Sequence, residues 1–423
     1  MSNARTFNTD HMVEHLFREQ SGKMSAILTR RFGFSHAELI DDIIQETFIA
    51  ALKTWSLKGV PEKPEAWLFQ VAKNKTLNEL KKQAKLSYSE EGTPHIPDES
   101  EMDDLFMDNE IKDSQLRLLY ACCNPVLSEK VQVILTLKSL CGFSVHEIAH
   151  AFLMKKEAVK KTITRARQTL ADIPVEVPFI EQAKSRTEAV QLVLYLMFNE
   201  GYKASTGDDL INEQLCYDAV RLAKLVTQIP EIDDHSTYAL LALMYFNMSR
   251  FDARMDEHGE MIQFQLQDRA TWNKAMIGQA FSFLEQSRKS TGLNRYHIEA
   301  GIAAAHASAP TFEKTSWKTI VDYYRLLFKF DQSPVTHLNY AIAMSLHEGP
   351  ERGLEELSTI KAVSMQDYFL FHASKADMYF RLHDFERAKS YYQVALDLAD
   401  SKPDQTFIRK KMLECDTKNI TPN

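Results

Sequence analysis

Apolar residues near the start of the chain recur every three or four positions. Ile40, Ile43, Ile44, Phe48, Ala51, Leu52 and Trp55 trace one face of a helix, with polar residues between them. Ser35-His36-Ala37-Glu38 reads as a capping box opening this helix, and Gly59 and Pro61 end it. After the loop Ser56 to Lys63, Pro64 suits the first turn of a second helix. That helix runs to about Lys85 with Trp67, Leu68, Val71, Ala72 and Leu80 on its buried side. Periodicity fades from Tyr88 to Asp108, then returns near Ser114–Cys123 and Ser128–Leu140, where Cys141-Gly142 punctuates it. Ser144-Val145-His146-Glu147 is a second capping box, opening a short helix to about Phe152. The turn Leu153-Met154 leads into a helix from Lys155 to Leu170 that buries Val159, Ile163, Ala166 and Leu170. Short helix, tight turn, basic helix is the helix-turn-helix pattern. Pro174 and Pro178 mark the next boundary, and the chain beyond is helix-rich with short breaks.

Composition supports an all-α reading. Thirteen Gly and thirteen Pro in 423 residues are few for a fold with many tight turns. No apolar run approaches the ~20 residues of a membrane span, and the N-terminus lacks a signal-peptide core. Five cysteines (Cys122, Cys123, Cys141, Cys216, Cys415) with no CxxC imply a reducing cytoplasm rather than a disulfide framework or zinc ribbon.

The net charge of −8 argues against nucleic acid only as a global sum, because the signs are segregated. Ser87 to Glu110 holds nine acids and no Lys or Arg, whereas Lys155 to Arg167 holds six bases against Glu157. In the basic helix, Lys155, Lys156, Lys160, Lys161, Thr164, Arg165 and Arg167 surround the apolar stripe. Lysine and arginine neutralise phosphates, and arginine also bridges guanine O6 and N7 in the major groove. A solvated face is the bland alternative, and the capped helix and tight turn ahead of it favour DNA. Asn74, Asn78, Lys81 and Lys82 share a face of the second helix, suited to base edges and backbone of a single strand. Trp67 reads as core bordering that face, and Lys58 lies in the loop Ser56 to Lys63 that joins the two helices.

His146-Glu147-Ile148-Ala149-His150 fits HExxH, in which two histidines on one helix face bind zinc. Glu147 already closes a capping box, no glycine stands three residues after His150, and no third ligand is near. The zinc-protease reading is therefore the enzyme alternative, and the favoured reading is a non-enzyme with no cofactor and no metal. Cys122-Cys123 reads as buried helix surface.

Taken together, these residues resemble the sigma-70 superfamily, in its extracytoplasmic-function class with only regions 2 and 4. Asp42-Ile43-Ile44-Gln45-Glu46-Thr47-Phe48 resembles the region 2.2 helix that docks on the β′ clamp of core RNA polymerase. Pro64 to Asn74 is similar to the region 2.3–2.4 helix that opens and reads the −10 element, and Ser144 to Leu170 to the region 4.2 reader of the −35 element. The resemblance implies core-polymerase contacts from Asp42, Gln45, Glu46 and Ile49, and β-flap binding by region 4. Phe198-Asn199-Glu200-Gly201-Tyr202, Leu240 to Met244, Gln267-Asp268-Arg269, Ala303 to Ala307 and Ser333-Pro334-Val335 look like the subgroup with a TPR-like extension. Asn294-Arg295-Tyr296 departs from the Gly-Pro-Tyr turn expected there. Ala341, Met344, Gly353 and Leu357 precede Ala376, Tyr379, Ala388 and Tyr392 by 35 residues each, near the TPR period of about 34, and Ala395 continues the second unit.

The expectation is thus region 2 over 10–86, an acidic linker over 87–112, region 4 over 113–172 and a TPR-like regulatory extension over 178–423. Its partners are core RNA polymerase and promoter DNA, with no membrane. The sequence permits the extension to act as an intramolecular inhibitor, to contact polymerase, or to sense a ligand or protein, so its partner, intramolecular or protein, is open. A helix-turn-helix regulator with a TPR sensor is the alternative binding-protein reading.

Overall fold

A computed structural model describes residues 16–17, 20–86, 108–152, 154–176, 180–202, 212–228, 235–256, 262–361, 365–399 and 402–420. It is 77% helical, with no strands among the described residues, which agrees with the all-α expectation. Two compact units emerge: residues 1–201 with 213–233, and residues 202–212 with 234–423.

In the first unit a helical stretch over 20–32 leads into a 3-10 turn and α1 (Ala37–Lys58). The capping box expected at Ser35 is not formed. The 3-10 turn puts His36 at the N-cap, and the Ser35 hydroxyl bonds the His36 ring at 3.1 Å instead. α1 packs on α2 (Pro64–Leu86) around Phe48, Trp55, Leu68, Ala72 and Leu77. Trp67 and Val71, expected to be buried, are only half-buried, because Trp67 meets Trp55 edge-on at the rim of the core. The side chain of Leu80 and residues 87–107, most of the expected linker, lie outside the described residues.

α3 (Asp108–Cys122) starts inside the stretch expected to be linker. Arg30 pairs there with Glu110 and Asp113, both at 2.8 Å, so acids that repel one another in sequence are neutralised in the fold. α4 (Glu129–Leu140), α5 (Val145–Ala151) and α6 (Lys156–Thr169) follow. α7 (Ile180–Tyr202) and α8 (Glu213–Val226) belong mostly to the same unit, so the extension expected from residue 178 is divided between the units. The cause is specific: the Tyr120 hydroxyl bonds that of Thr187 at 2.9 Å, and Arg221 donates to the Leu140 carbonyl, which closes α4, at 3.5 Å.

The second unit runs through α9 (Ser236–Met248), α10 (Lys274–Ser287), α11 (Arg295–Ser308), α12 (Trp317–Leu327), α13 (Pro334–His347), α14 (Pro350–Thr359), α15 (Phe369–Arg381), α16 (Phe385–Leu398) and α17 (Lys402–Ile420). α13 pairs with α14, and α15 with α16. The repeat positions Ala341, Met344, Gly353, Leu357, Ala376, Ala388, Tyr392 and Ala395 are buried at these pairings, and Tyr379 is half-buried.

Several motifs of the extension turn out to be architectural. Arg269 is buried and donates to the carbonyls of His306 and Ala309 and to the Thr315 hydroxyl. Ser333 caps α13, with Pro334 in its first turn. Asn294 forms a capping box with His297 at the start of α11. Asn294→Ala is expected to cost about 1 kcal/mol, read by chemical denaturation, with Asn294→Asp retaining most of the stability.

Candidate functional site

The helix-turn-helix is built from α5 and α6. Ser144 and Glu147 make the reciprocal capping box: the Ser144 amide donates to the Glu147 carboxylate at 2.8 Å, and the Glu147 amide to the Ser144 hydroxyl at 3.1 Å. Val159, Ile163, Ala166 and Leu170 are buried and seat α6 against α4 and α5. Each fully buried Val, Ile or Leu contributes roughly 1.5–3 kcal/mol, so the face of α6 turned inward is strongly specified.

The opposite face carries the charge. Lys155, Lys156, Lys160, Lys161, Thr164 and Arg165 are all exposed. Lys160 lies 3.5 Å from Glu157, but both are open to solvent, where such a pair is worth about 0–1 kcal/mol and does not hold the lysine back. Arg167 differs. Its side chain is 10% exposed and makes a two-pronged bridge to Asp41 of α1, at 2.9 and 3.3 Å. Lys138 adds a second cation 3.8 Å from Asp41. The arginine expected on the DNA face is therefore held inward in this arrangement, because Asp41 supplies a carboxylate at the place where α6 meets the α1 end of the unit.

Asp42, Gln45, Glu46 and Ile49 form one exposed strip on α1. Ile49 is 48% exposed, an apolar side chain set among polar ones. Glu46 is bridged to Lys75 of α2 at 2.6 Å, and this hydrogen bond and charge hold its carboxyl below the usual range. Asn74, Asn78, Lys81 and Lys82 are exposed along α2. Lys58, at the end of α1, is also exposed, and the neighbouring Leu57 and Val60 are exposed apolar residues that sequence reasoning did not single out. Their apolar character at the end of one amphipathic helix and in the loop that follows it was the available signal. Asp41 was missed too, and no local pattern could have revealed a partner 126 positions away.

The HExxH segment has its glutamate in the capping box, as its spacing predicted, and the side chain of His150 lies outside the described residues. Among the described residues no group of three His, Cys, Asp or Glu is placed to hold a metal ion. All five cysteines are buried and free. Burial pushes the Cys122 thiol up to about 12, and the thiols of Cys123 and Cys141 well above their usual value. Such thiols stay protonated, which suits packing rather than redox chemistry. No described helix is long and apolar enough to cross a membrane.

Comparison with known proteins adds independent information. Residues 16–86 match the family model described as Sigma-70 region 2, and residues 118–170 match that described as Sigma-70, region 4. Residues 186–288 match a family of unknown function, DUF6596. An uncharacterized protein of Rhizobium meliloti (strain 1021) is 33% identical over 384 residues, covering 90% of each chain. No solved structure matches.

Proposed function

From the premise that this chain belongs to the sigma-70 family of RNA polymerase sigma factors, we propose that it is a promoter-specificity subunit of the extracytoplasmic-function class, working in the cytoplasm. The Asp42/Gln45/Glu46/Ile49 strip docks on the β′ clamp, the exposed face of α2 with Lys58 and the rim residue Trp67 takes the −10 strand, and the outer face of α6 enters the major groove at −35. Region 4 also binds the β flap. Bond-making chemistry stays with the polymerase, and the extension modulates when the two DNA-reading regions are free to act.

The observation that carries this reading is the coexistence of two exposed faces of opposite character: an acidic and apolar strip on α1, and a cationic face on α6 backed by a fully apolar stripe. The first suits a protein surface, where an exposed isoleucine among hydrogen-bonding groups makes an anchor. The second suits phosphates and base edges. Without Arg167, five cations remain on that face: Lys155, Lys156, Lys160, Lys161 and Arg165.

The test is binding of the full-length protein to sigma-free bacterial core polymerase, with another sigma factor as competitor. Competitive binding is expected, and the Asp42/Gln45/Glu46 triple-alanine variant should lose at least tenfold in affinity. Binding to promoter DNA with no competition for core polymerase would overturn the proposal in favour of a helix-turn-helix regulator.

A further inference from the structure

The second unit contains a cavity of about 350 Å³, the size of a small-molecule site. Its chemistry is divided. Phe264, Phe312 and Trp317 line one part, and Asp377 and Arg381 of α15 line another. We infer that it binds a small zwitterion with an apolar side chain, an α-amino acid or a short peptide, whose ammonium meets Asp377, whose carboxylate meets Arg381 and whose side chain packs on the aromatic wall.

The polar end supports this on geometry. Asp377 and Arg381 are one helical turn apart, a spacing at which acid and base commonly pair. They do not bridge here. Arg381 reaches across to α13, donating to the Ser345 hydroxyl at 2.7 Å and the Ser345 carbonyl at 2.8 Å. Two of the five N–H donors of a guanidinium are thereby used, and the other three make no hydrogen bond to a described residue. Asp377 makes no hydrogen bond to another described residue, while burial raises its carboxyl above the usual range despite the nearby Arg381 and Lys411. A carboxylate with little solvent and no donor gains most from an incoming ammonium. A simple amine would be repelled by Arg381, and a simple acid by Asp377. A molecule carrying both an ammonium and a carboxylate satisfies both.

The apolar end is rigid. Phe312 meets Trp317 edge-on at 5.1 Å, and Phe264 meets His306 at 4.8 Å. Arg250 stacks over Phe264 at 4.1 Å, and Arg269 over Trp272 at 5.1 Å. Burial and these two cations bring His306 down to about 3, so it presents a neutral ring to the cavity. A wall that is already in place loses little ordering entropy on binding.

The full-length chain alone serves for the test. Isothermal titration calorimetry with L-phenylalanine and with L-leucyl-L-phenylalanine should give saturable binding of at least one of them. N-acetyl-L-phenylalanine and L-phenylalaninamide, each lacking one charge, should bind at least tenfold more weakly. Asp377→Asn, nearly isosteric, should cost tenfold or more, and Ala373→Phe should block the cavity, with unchanged circular dichroism in both. Arg381→Gln is a weaker test, because it also breaks the tie to Ser345. No saturable binding by either zwitterion, undiminished binding to folded Asp377→Asn, or equal binding of the acetylated analogue would overturn the inference.

Discussion

Arg167→Leu should raise the affinity of the full-length protein for promoter DNA on core polymerase roughly tenfold, although it removes a cation. The −10 and −35 elements lie 25 base pairs apart, about 85 Å at 3.4 Å per base pair. On the proposed assignment of α2 to −10 and α6 to −35, a unit in which α6 is bridged to α1 cannot reach both, and promoter engagement would require that contact to open. The bridge has two hydrogen bonds, at 2.9 and 3.3 Å, between side chains 10% and 22% exposed. Exposed pairs are worth about 0–1 kcal/mol, and breaking a buried one costs about 3–5, so a partly buried bridge falls near 1–3 kcal/mol. Every 1.4 kcal/mol is a factor of ten in the closed–open equilibrium, which sets the expected shift. Gly22 marks the same seam: a Cβ there would sit 2.0 Å from the Leu140 carbonyl oxygen, so the 20–32 helix and the end of α4 touch through backbone. Arg165→Leu is the internal control. Its side chain faces outward, so its loss should weaken DNA binding and reduce the salt slope by about 0.9 per phosphate contact. Fluorescence transfer between labels on α1 and α6 would report opening, and filter binding over a salt series the affinity. If Arg167→Leu weakens binding as Arg165→Leu does, the bridge is not a restraint.

Gly353→Val should destabilise the second unit by about 3 kcal/mol, the upper part of the usual range for overpacking. A Cβ at Gly353 would lie 2.4 Å from the Ser345 Cβ and 2.9 Å from the Met378 sulfur. Met378 is flexible and can yield, but Ser345 has little room, because Arg381 holds both its hydroxyl and its carbonyl. For a unit of this size 1 kcal/mol corresponds to about 2–4 °C, so calorimetry should record a transition lowered by about 6–12 °C. An unchanged melting temperature would mean that α13 and α14 part easily. The same substitution tests the repeat, since the matching position 35 residues later is Ala388, also fully buried.

What was legible in the sequence follows the range of the interaction. Ser144 and Glu147 are three residues apart, and their capping box formed as read. The stripe Val159, Ile163, Ala166, Leu170 was read from a 3.6-residue period and is buried. Asp42, Gln45, Glu46 and Ile49 were read as exposed for the complementary reason. Ser35 shows the limit of local reading, because a 3-10 turn shifted the start of α1 by a residue or two and left the expected cap unmade. Asn294 shows the reverse: a departure from the expected turn residues supplied a side-chain capping box.

By itself the sequence determined the helices, the helix-turn-helix, the polarity of each face and the family, because these depend on neighbours within one or two turns. Only the tertiary structure decided that Arg167 faces Asp41, that α7 and α8 join the first unit, and that Asp377 and Arg381 share a cavity with Phe264 and Trp317. The physical reason is that a charge or an aromatic ring carries no mark of its distant partner. An arginine on a basic helix fits DNA and a carboxylate equally well, and which one it meets depends on where the chain brings the carboxylate.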